Sequence, residues 1–316
     1  MRLIKPSFDI LDQQCGLEGI YKQIEIAGRT CYKSEDKITE DSAKAFVDRM
    51  IKSGHGAMLE HGTVYLFIKV SAYDQTLIYH IQEYKENPYS KVIYLGVDDN
   101  ETNFKDILGN SATGAMQYVV TTNYRVLVEN GWLDDLQYIC EPTEHHIKRV
   151  SVRFICDRGV SHEFVRHRVF SFAQESTRYC NYSKDKFNNE ITFIIPEWCP
   201  EIREDSNKGW DPCSMYDKFY LQHLQMAEDT YFNLLKQWDE KVPDKRYKSG
   251  FRNNPWTPQQ ARAILPNSLK TELVMTGFVS DWEHFFKLRD AASAHPQAQE
   301  LAHPLHEAFI QRGLIK

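Results

Sequence analysis

The sequence predicts an α+β chain, and three observations carry that reading. Strand-like apolar runs occur at Thr63–Val70, 116–122, Arg149–Ile155, Ile191–Pro196 and Thr271–Phe278. Helical-period stretches precede them at Thr39–Ser53 and separate them at Ser214–Trp238. The chain has 316 residues, 42% of them hydrophobic and 13% aromatic, which is ample for a sizeable core. No proline- or serine-rich linker divides it, so one domain over residues 1–316 is expected.

In chain order, Leu17–Ile26 has helical spacing, and Arg29-Thr30-Cys31-Tyr32-Lys33-Ser34 reads as a helix end and loop. The helix Thr39–Ser53 collects Ala43, Phe46, Val47, Met50 and Ile51 on one side. Gly54-His55-Gly56 breaks it. Residues 71–115, with a turn at 109–114, read as helix and loop inserted into the domain. Tyr124–Gly131 reads as a helix and Glu141–His146 as a loop, and the adjacent His145 and His146 would diverge on a helix, a poor metal pair. From Arg149, Val150, Val152 and Phe154 alternate with polar residues, the mark of a half-buried strand. The segment from Ser161 then delivers Arg166-His167-Arg168.

Residues 197–213 read as a loop. The helix from Ser214 starts at a Ser214/Asp217 cap, with a buried stripe of Phe219, Leu224, Ala227, Tyr231, Leu234 and Leu235. Thr257-Pro258 opens a helix that stops at Pro266. Thr271–Phe278 alternates as a strand. Ser280 with Glu283 caps a helix running to about Ala292, with Phe285, Phe286 and Leu288 buried, and Pro296 starts the last helix.

The net charge of −6 provides no global field for nucleic acid, so any anion site is local. The seven cysteines (Cys15, Cys31, Cys140, Cys156, Cys180, Cys199 and Cys213) are scattered, odd in number and form no Cys-x-x-Cys pair. They read as free thiols of a reducing compartment. Met1 to Asp9 holds no long apolar core, and no run is long enough to span a bilayer. A cytoplasmic protein without a membrane segment is expected.

The informative stretch is 162–183. Arg166-His167-Arg168, seven residues, then Ser176-Thr177-Arg178-Tyr179 gathers three arginines, a histidine and several hydroxyls. Planar guanidinium forks match phosphate and carboxylate oxygens. The bland alternative is a solvated charged face, but Val165, Val169, Phe170 and Phe172 interleave with the charges and anchor part of the run. His162-Glu163 does not extend to a zinc-protease motif, because Arg166 occupies the fifth position; no metal site is expected.

This run resembles the signature of the flavin-dependent thymidylate synthases, often called ThyX. Two more elements are similar to that family: His55-Gly56-Ala57-Met58-Leu59-Glu60-His61, and the set Ala261-Arg262-Ala263-Ile264-Leu265-Pro266, Leu288-Arg289 and His295-Pro296. The similarity covers roughly 15–70 and 115–310. It implies a central, mainly antiparallel sheet flanked by long helices. It implies reductive methylation of dUMP to dTMP, with methylenetetrahydrofolate as carbon donor, FAD as hydride carrier and NADPH or NADH as reductant.

The resemblance makes Arg289 the catalytic group that polarises uracil. It places dUMP on Glu163, Arg166, Gln174, Glu175, Ser176, Thr177, Arg178, Arg262 and Arg289. It places FAD on His55, Glu60, Arg166, His167, Arg168, Gln174, His284 and His295. No cysteine nucleophile is implied, and the assembly implied is a homotetramer with sites between subunits. Two positions depart from the family: many relatives have Asn-Glu-x where this chain has Ala173-Gln174-Glu175, and several have glutamine at Glu163. The acidic contact therefore falls to Glu175 or becomes the neutral Gln174. The stretch Phe278–Asp281 also lacks polar residues that some relatives turn toward flavin. Two other classes stand beside this reading. One is an RNA- or nucleotide-binding module using arginines and tyrosines, which the negative net charge disfavours. The other is a flavoprotein of the same fold that reduces a different substrate.

Overall fold

The computed structural model describes residues 1–98, 114–199, 214–237 and 255–316, with short segments at 104–105, 111–112, 242–243, 245–246, 248 and 251–252. The chain begins with β1 (Arg2–Ile4) and β2 (Ser7–Leu11), then α1 (Gly16–Tyr32), α2 (Ser42–Lys52) and the single turn α3 (Gly56–Leu59). Next come β3 (Thr63–Ser71), α4 (Gln75–Glu86), β4 (Lys91–Asp98), β5 (Ala115–Asn123) and α5 (Tyr124–Asn130). The second half holds β6 (Arg149–Asp157), α6 (Arg158–Phe164), β7 (Ser171–Gln174), β8 (Thr192–Ile194), α7 (Met215–Leu235), α8 (Pro258–Ala261), β9 (Lys270–Phe278), α9 (Val279–Arg289) and α10 (Pro296–Gln311).

Two antiparallel sheets carry the fold, one ordered β2-β6-β9-β7 and the other β3-β5-β4, while β1 and β8 pair in parallel. The mixed, mainly antiparallel class expected from the sequence is what is observed. A buried hydrogen-bond chain joins the two halves: the Nδ1 of His61 lies 2.8 Å from the Thr276 hydroxyl, which lies 2.7 Å from that of Ser151.

Central position explains where the strand periodicity fails. β9 is hydrogen-bonded on both sides and buried from Thr271 to Phe278, so its expected alternation is replaced by burial on both faces. Ser151 of β6, expected on a wet face, is buried and satisfied by Thr276. β4 was not expected, because its burial pattern has no simple period; pairing with β5 makes it a strand and joins Lys91–Asp98 to the second sheet.

Helix faces also differ from the expected stripes. α7 buries Leu221, Leu224, Ala227 and Tyr231, whereas Phe219, two positions before Leu221 and on the opposite side, is exposed. On α9 the buried face is Trp282, Phe285 and Phe286, and Leu288 is exposed. α9 starts at Val279, because β9 runs straight into it and the Asp281 carboxylate accepts from the Phe278 N–H at 3.0 Å; the expected Ser280/Glu283 cap lies inside the helix. It ends at Arg289 rather than near Ala292. α1 continues through Cys31 and Tyr32, and Lys33 closes it in the left-handed region at φ 46°. Helix α8 is one turn, continued as a 3-10 turn at Arg262–Ile264. At Gly277 a Cβ would lie 2.6 Å from the Phe170 ring, so glycine lets that ring, just past Arg168, pack on β9. The loop expected at 197–213 lies mostly outside the described residues, as does Cys213.

Candidate active site

Three short structural facts place the Arg166–Arg168 run. Asp157 ends β6 and caps α6, its carboxylate accepting from the Val160 N–H at 2.7 Å. α6 stops at Phe164, which is buried against Phe154 and Phe285. The next residues form a turn in which Phe170 and His167 are buried while Arg166 and Arg168 are exposed. Phe164, His167 and Phe170 thus anchor the run, which presents its two arginines outward together with Val169, an expected anchor that is exposed.

Arg289, the last residue of α9, meets this turn. Its Nε donates to His167 Nε2 at 3.0 Å, one terminal nitrogen donates to the Glu163 carboxylate, and the other donates to the Glu163 carbonyl at 2.7 Å. A guanidinium has five N–H donors. Three are committed, so the fork is held rigidly with two left to face a ligand. The bond from Arg289 requires a lone pair on His167 Nε2, so that ring is neutral with its proton on Nδ1. Burial, then the nearby Arg289 and His284, push the His167 pKa down to about 4. His284 stands with its ring 6.1 Å from that of His167. Arg166 approaches the Glu163 carboxylate at 3.7 Å, and Arg168 has no ion-pair partner among the described residues.

Glu163, Arg166 and His295 border a cleft of about 670 Å³ that also exposes His162, Trp198 and Tyr220. His295 lies edge-on to Trp198 at 6.1 Å.

Gln174 and Glu175 diverge because β7 alternates. The Gln174 amide donates to Ser161 at 2.8 Å and Thr271 at 3.3 Å, on the side of α6. Glu175 points the other way into a buried ion ladder. Lys270 bridges Glu175 (2.9 Å) and Glu272, and Lys33 reaches Glu272 at 2.7 Å. Of the two alternatives for the acidic position, Glu175 is therefore committed to Lys270, and its carboxylate supports the following loop from beneath. That loop is docked on α1, with the Ser176 N–H donating to the Cys31 carbonyl at 3.0 Å. Arg262 donates to the Thr177 hydroxyl at 3.0 Å, and Arg178 is exposed over the Tyr179 ring.

His55 joins the same loop through tyrosines. The Tyr32 hydroxyl lies 2.9 Å from His55 Nδ1, and the Tyr32 ring lies 6.4 Å from His55 and 5.7 Å from Tyr179. Glu60 is tied to Arg125, and its carbonyl accepts from Arg149 at 3.1 Å. Arg289 and the Ser176–Arg178 turn share no hydrogen bond or ion pair among the described residues. The expected site residues thus fall into clusters: Arg289 with Glu163, His167 and His284; Thr177 with Arg262; His55 with the loop of Arg178; and Glu60 apart with Arg125.

Sequence reading missed Lys270, Lys33 and Glu272, whose partners are far apart along the chain. It also missed Tyr32 and Tyr179 as an aromatic layer, although both sit in quoted motifs.

The fixed Arg289 guanidinium and the exposed Arg166 and Arg168 present N–H donors of the kind that match anionic oxygens. Residues 140–312, more than half of the chain, match the family described as thymidylate synthase complementing protein, and the chain belongs to that family. A flavin-dependent thymidylate synthase of Pyrococcus furiosus is 30% identical over 161 residues, covering 51% of this chain and 54% of that protein. One from Corynebacterium diphtheriae is 28% identical over 162 residues, covering 50% and 55%. The chain spans about half the length of the curated relatives it matches. Among solved structures, the UMP/dUMP methylase PolB from Streptomyces cacaoi, bound with 5-Br dUMP, aligns over 98% of this chain and 93% of that one. Its identity is 15% and its TM-score 0.39, too loose a superposition to bear on fold or ligand.

Proposed function

We propose that this chain is a flavin-dependent thymidylate synthase, a methyltransferase converting dUMP to dTMP with methylenetetrahydrofolate, FAD and NADPH or NADH. The observation that carries the reading is Arg289, locked by His167 and Glu163 with two N–H groups to spare. Uracil C5 is a poor nucleophile, and negative charge spreads to the N3–C2–O2 edge as it reacts. A guanidinium already fixed at that edge stabilises the charge without reorganising, and such a donor contributes about 2.7–4 kcal/mol of barrier. His167 keeps a lone pair toward Arg289 and so holds the fork without competing for its charge.

The nucleotide phosphate takes Ser176, Arg178 and Arg262, where Thr177 already steers Arg262. Thr177, Glu163, Arg166 and Gln174 complete the nucleotide side, with Glu175 acting from beneath. The residues present fit a flavin dinucleotide: exposed Arg166 and Arg168 suit its phosphates, and the His55–Tyr32–Tyr179 layer suits a flat ring. His167, Gln174, His284, His295 and Glu60 complete the flavin contacts in this reading. Bound flavin supplies the hydride that reduces the transferred carbon. No thiol is assigned to the reaction; burial pushes Cys31 up to about 11 and Cys180 up to about 12, which keeps them protonated.

A homotetramer with sites between subunits is part of this reading. One domain with an insertion at 71–115, and a cytoplasmic location, belong to it too; among the described residues no helix is long and apolar enough to cross a membrane.

The test is tritium release from 5-tritiated dUMP with methylenetetrahydrofolate, FAD and NADPH, beside Arg289→Ala. Flavin-dependent release that falls at least 10²-fold in the variant is expected. No release from a yellow, tetrameric protein would move the assignment to a different flavin reductase; a colourless monomer would end it.

A further inference from the structure

Arg289 is gripped on one side by α6 and its turn, and the structure holds the same helix end from the other side. Asp290 terminates α9, its N–H donating to the Phe286 carbonyl at 2.9 Å. Its remaining polar atoms go to α10. Gln299 donates to the Asp290 carbonyl at 3.2 Å, His303 Nδ1 lies 2.9 Å from one carboxylate oxygen and His306 Nδ1 lies 2.7 Å from the other. Gln299, His303 and His306 follow at intervals of four and three and so line one face of α10. An ionised carboxylate only accepts, so both Nδ1 atoms carry protons and donate. The His306 ring is itself fixed, stacked on Phe286 at 4.5 Å and 12°. Glu307 faces His303 Nε2 at 3.6 Å.

Consecutive residues on a helix diverge by about 100°. Asp290 therefore pulls the last turn toward α10 while Arg289 points toward His167 and Glu163. Two restraints on different sides fix the rotation of that turn. A helix end normally frays, and a rotation of roughly 10° carries a side-chain tip ~6 Å from the axis through about 1 Å.

We propose that Asp290, held by Gln299, His303 and His306 of α10, is a positioning residue for Arg289: it fixes the last turn of α9 so that the guanidinium meets substrate in register. This rests on Arg289 acting in the proposed reaction.

The experiment is a double-mutant cycle in the full chain, read by tritium release from dUMP. Asp290→Ala is expected to lower kcat by roughly ten- to a hundredfold, the scale of a 1 Å misplacement, with the dUMP KM within about twofold. Asp290→Asn, which keeps one acceptor, falls between. In the Arg289→Lys background Asp290→Ala is expected to cost no more than about twofold, because its route is through Arg289. An unchanged kcat in Asp290→Ala, or an equal loss in both backgrounds, overturns the proposal. Where Asp290→Ala does not fold, the cycle is run with the His303→Phe/His306→Phe pair, which keeps a ring at each position but removes both N–H donors to Asp290, and the same two outcomes decide. If Arg289→Ala itself keeps full activity, the functional reading fails instead, and that outcome is distinct.

Discussion

Replacing Glu163 by alanine removes the side-chain acceptor that holds Arg289. The carboxylate takes one terminal N–H of Arg289 and approaches Arg166 at 3.7 Å. After truncation, His167 and the Glu163 carbonyl still hold the guanidinium, so it stays in place but loses its third bond. A hydrogen bond between charged groups contributes about 1.5–3 kcal/mol. The Glu163 side chain is 29% exposed, so solvent screening places the cost at the lower end. About 1.5 kcal/mol is roughly tenfold in rate. Glu163→Gln keeps an acceptor at the same reach and is expected within about threefold of the parent. The assay is kcat and KM for dUMP by tritium release, with flavin content checked for each variant. An Ala variant as fast as the parent would refute the reasoning, since Arg289 would then need no carboxylate. A Gln variant as slow as Ala would also refute it, since the loss would then lie in the negative charge itself rather than in a positioned acceptor.

Two predictions concern stability. Lys270→Met strands the buried Glu175 carboxylate and leaves Glu272 with Lys33 alone. Breaking such a pair from one side typically costs about 3–5 kcal/mol, read as a lower urea midpoint; a shift under 1 kcal/mol would mean the ladder is solvated in practice. The second is acid sensitivity. Burial, then Arg149, push His61 down to about 3, and His167 sits at about 4, while both titrate near 6.5 when unfolded. The unfolded chain therefore binds protons that the native chain refuses. Stability is full above pH 6.5 and falls as pH drops from there toward 4, by up to about 1.4 kcal/mol per pH unit for each histidine. Urea midpoints between pH 7 and 5 measure this, and His167→Gln should lessen the slope; a flat profile would mean these rings are protonated in the fold.

Local chemistry made much of this protein legible in one dimension. The Arg166-His167-Arg168 run carries its own evidence, because arginines interleaved with apolar anchors must face outward while the chain between them packs. The helices from Thr39, Ser214 and Pro296 and the strands at Thr63 and Arg149 were readable from period and caps, since a face buried against a core repeats with the element's geometry. What failed depended on neighbours. β9 lost its alternation because it lies between two strands, β4 became a strand only through pairing with β5, and Phe219 and Leu288 were apolar residues left on the open side of their helices.

The residue types at the candidate site were legible, while their partnerships were not. Nothing in the chain order says that Arg289 bonds Glu163 and His167, more than 120 residues away, or that Glu175 spends its charge on Lys270. Those pairings are long-range, set by where the β6–α6 and β9–α9 junctions bring their ends together. Sequence by itself determined which chemical groups are present and which local elements carry them. Tertiary structure decided which donors meet which acceptors, because a charge buried by folding must find its partner in space, at any distance along the chain.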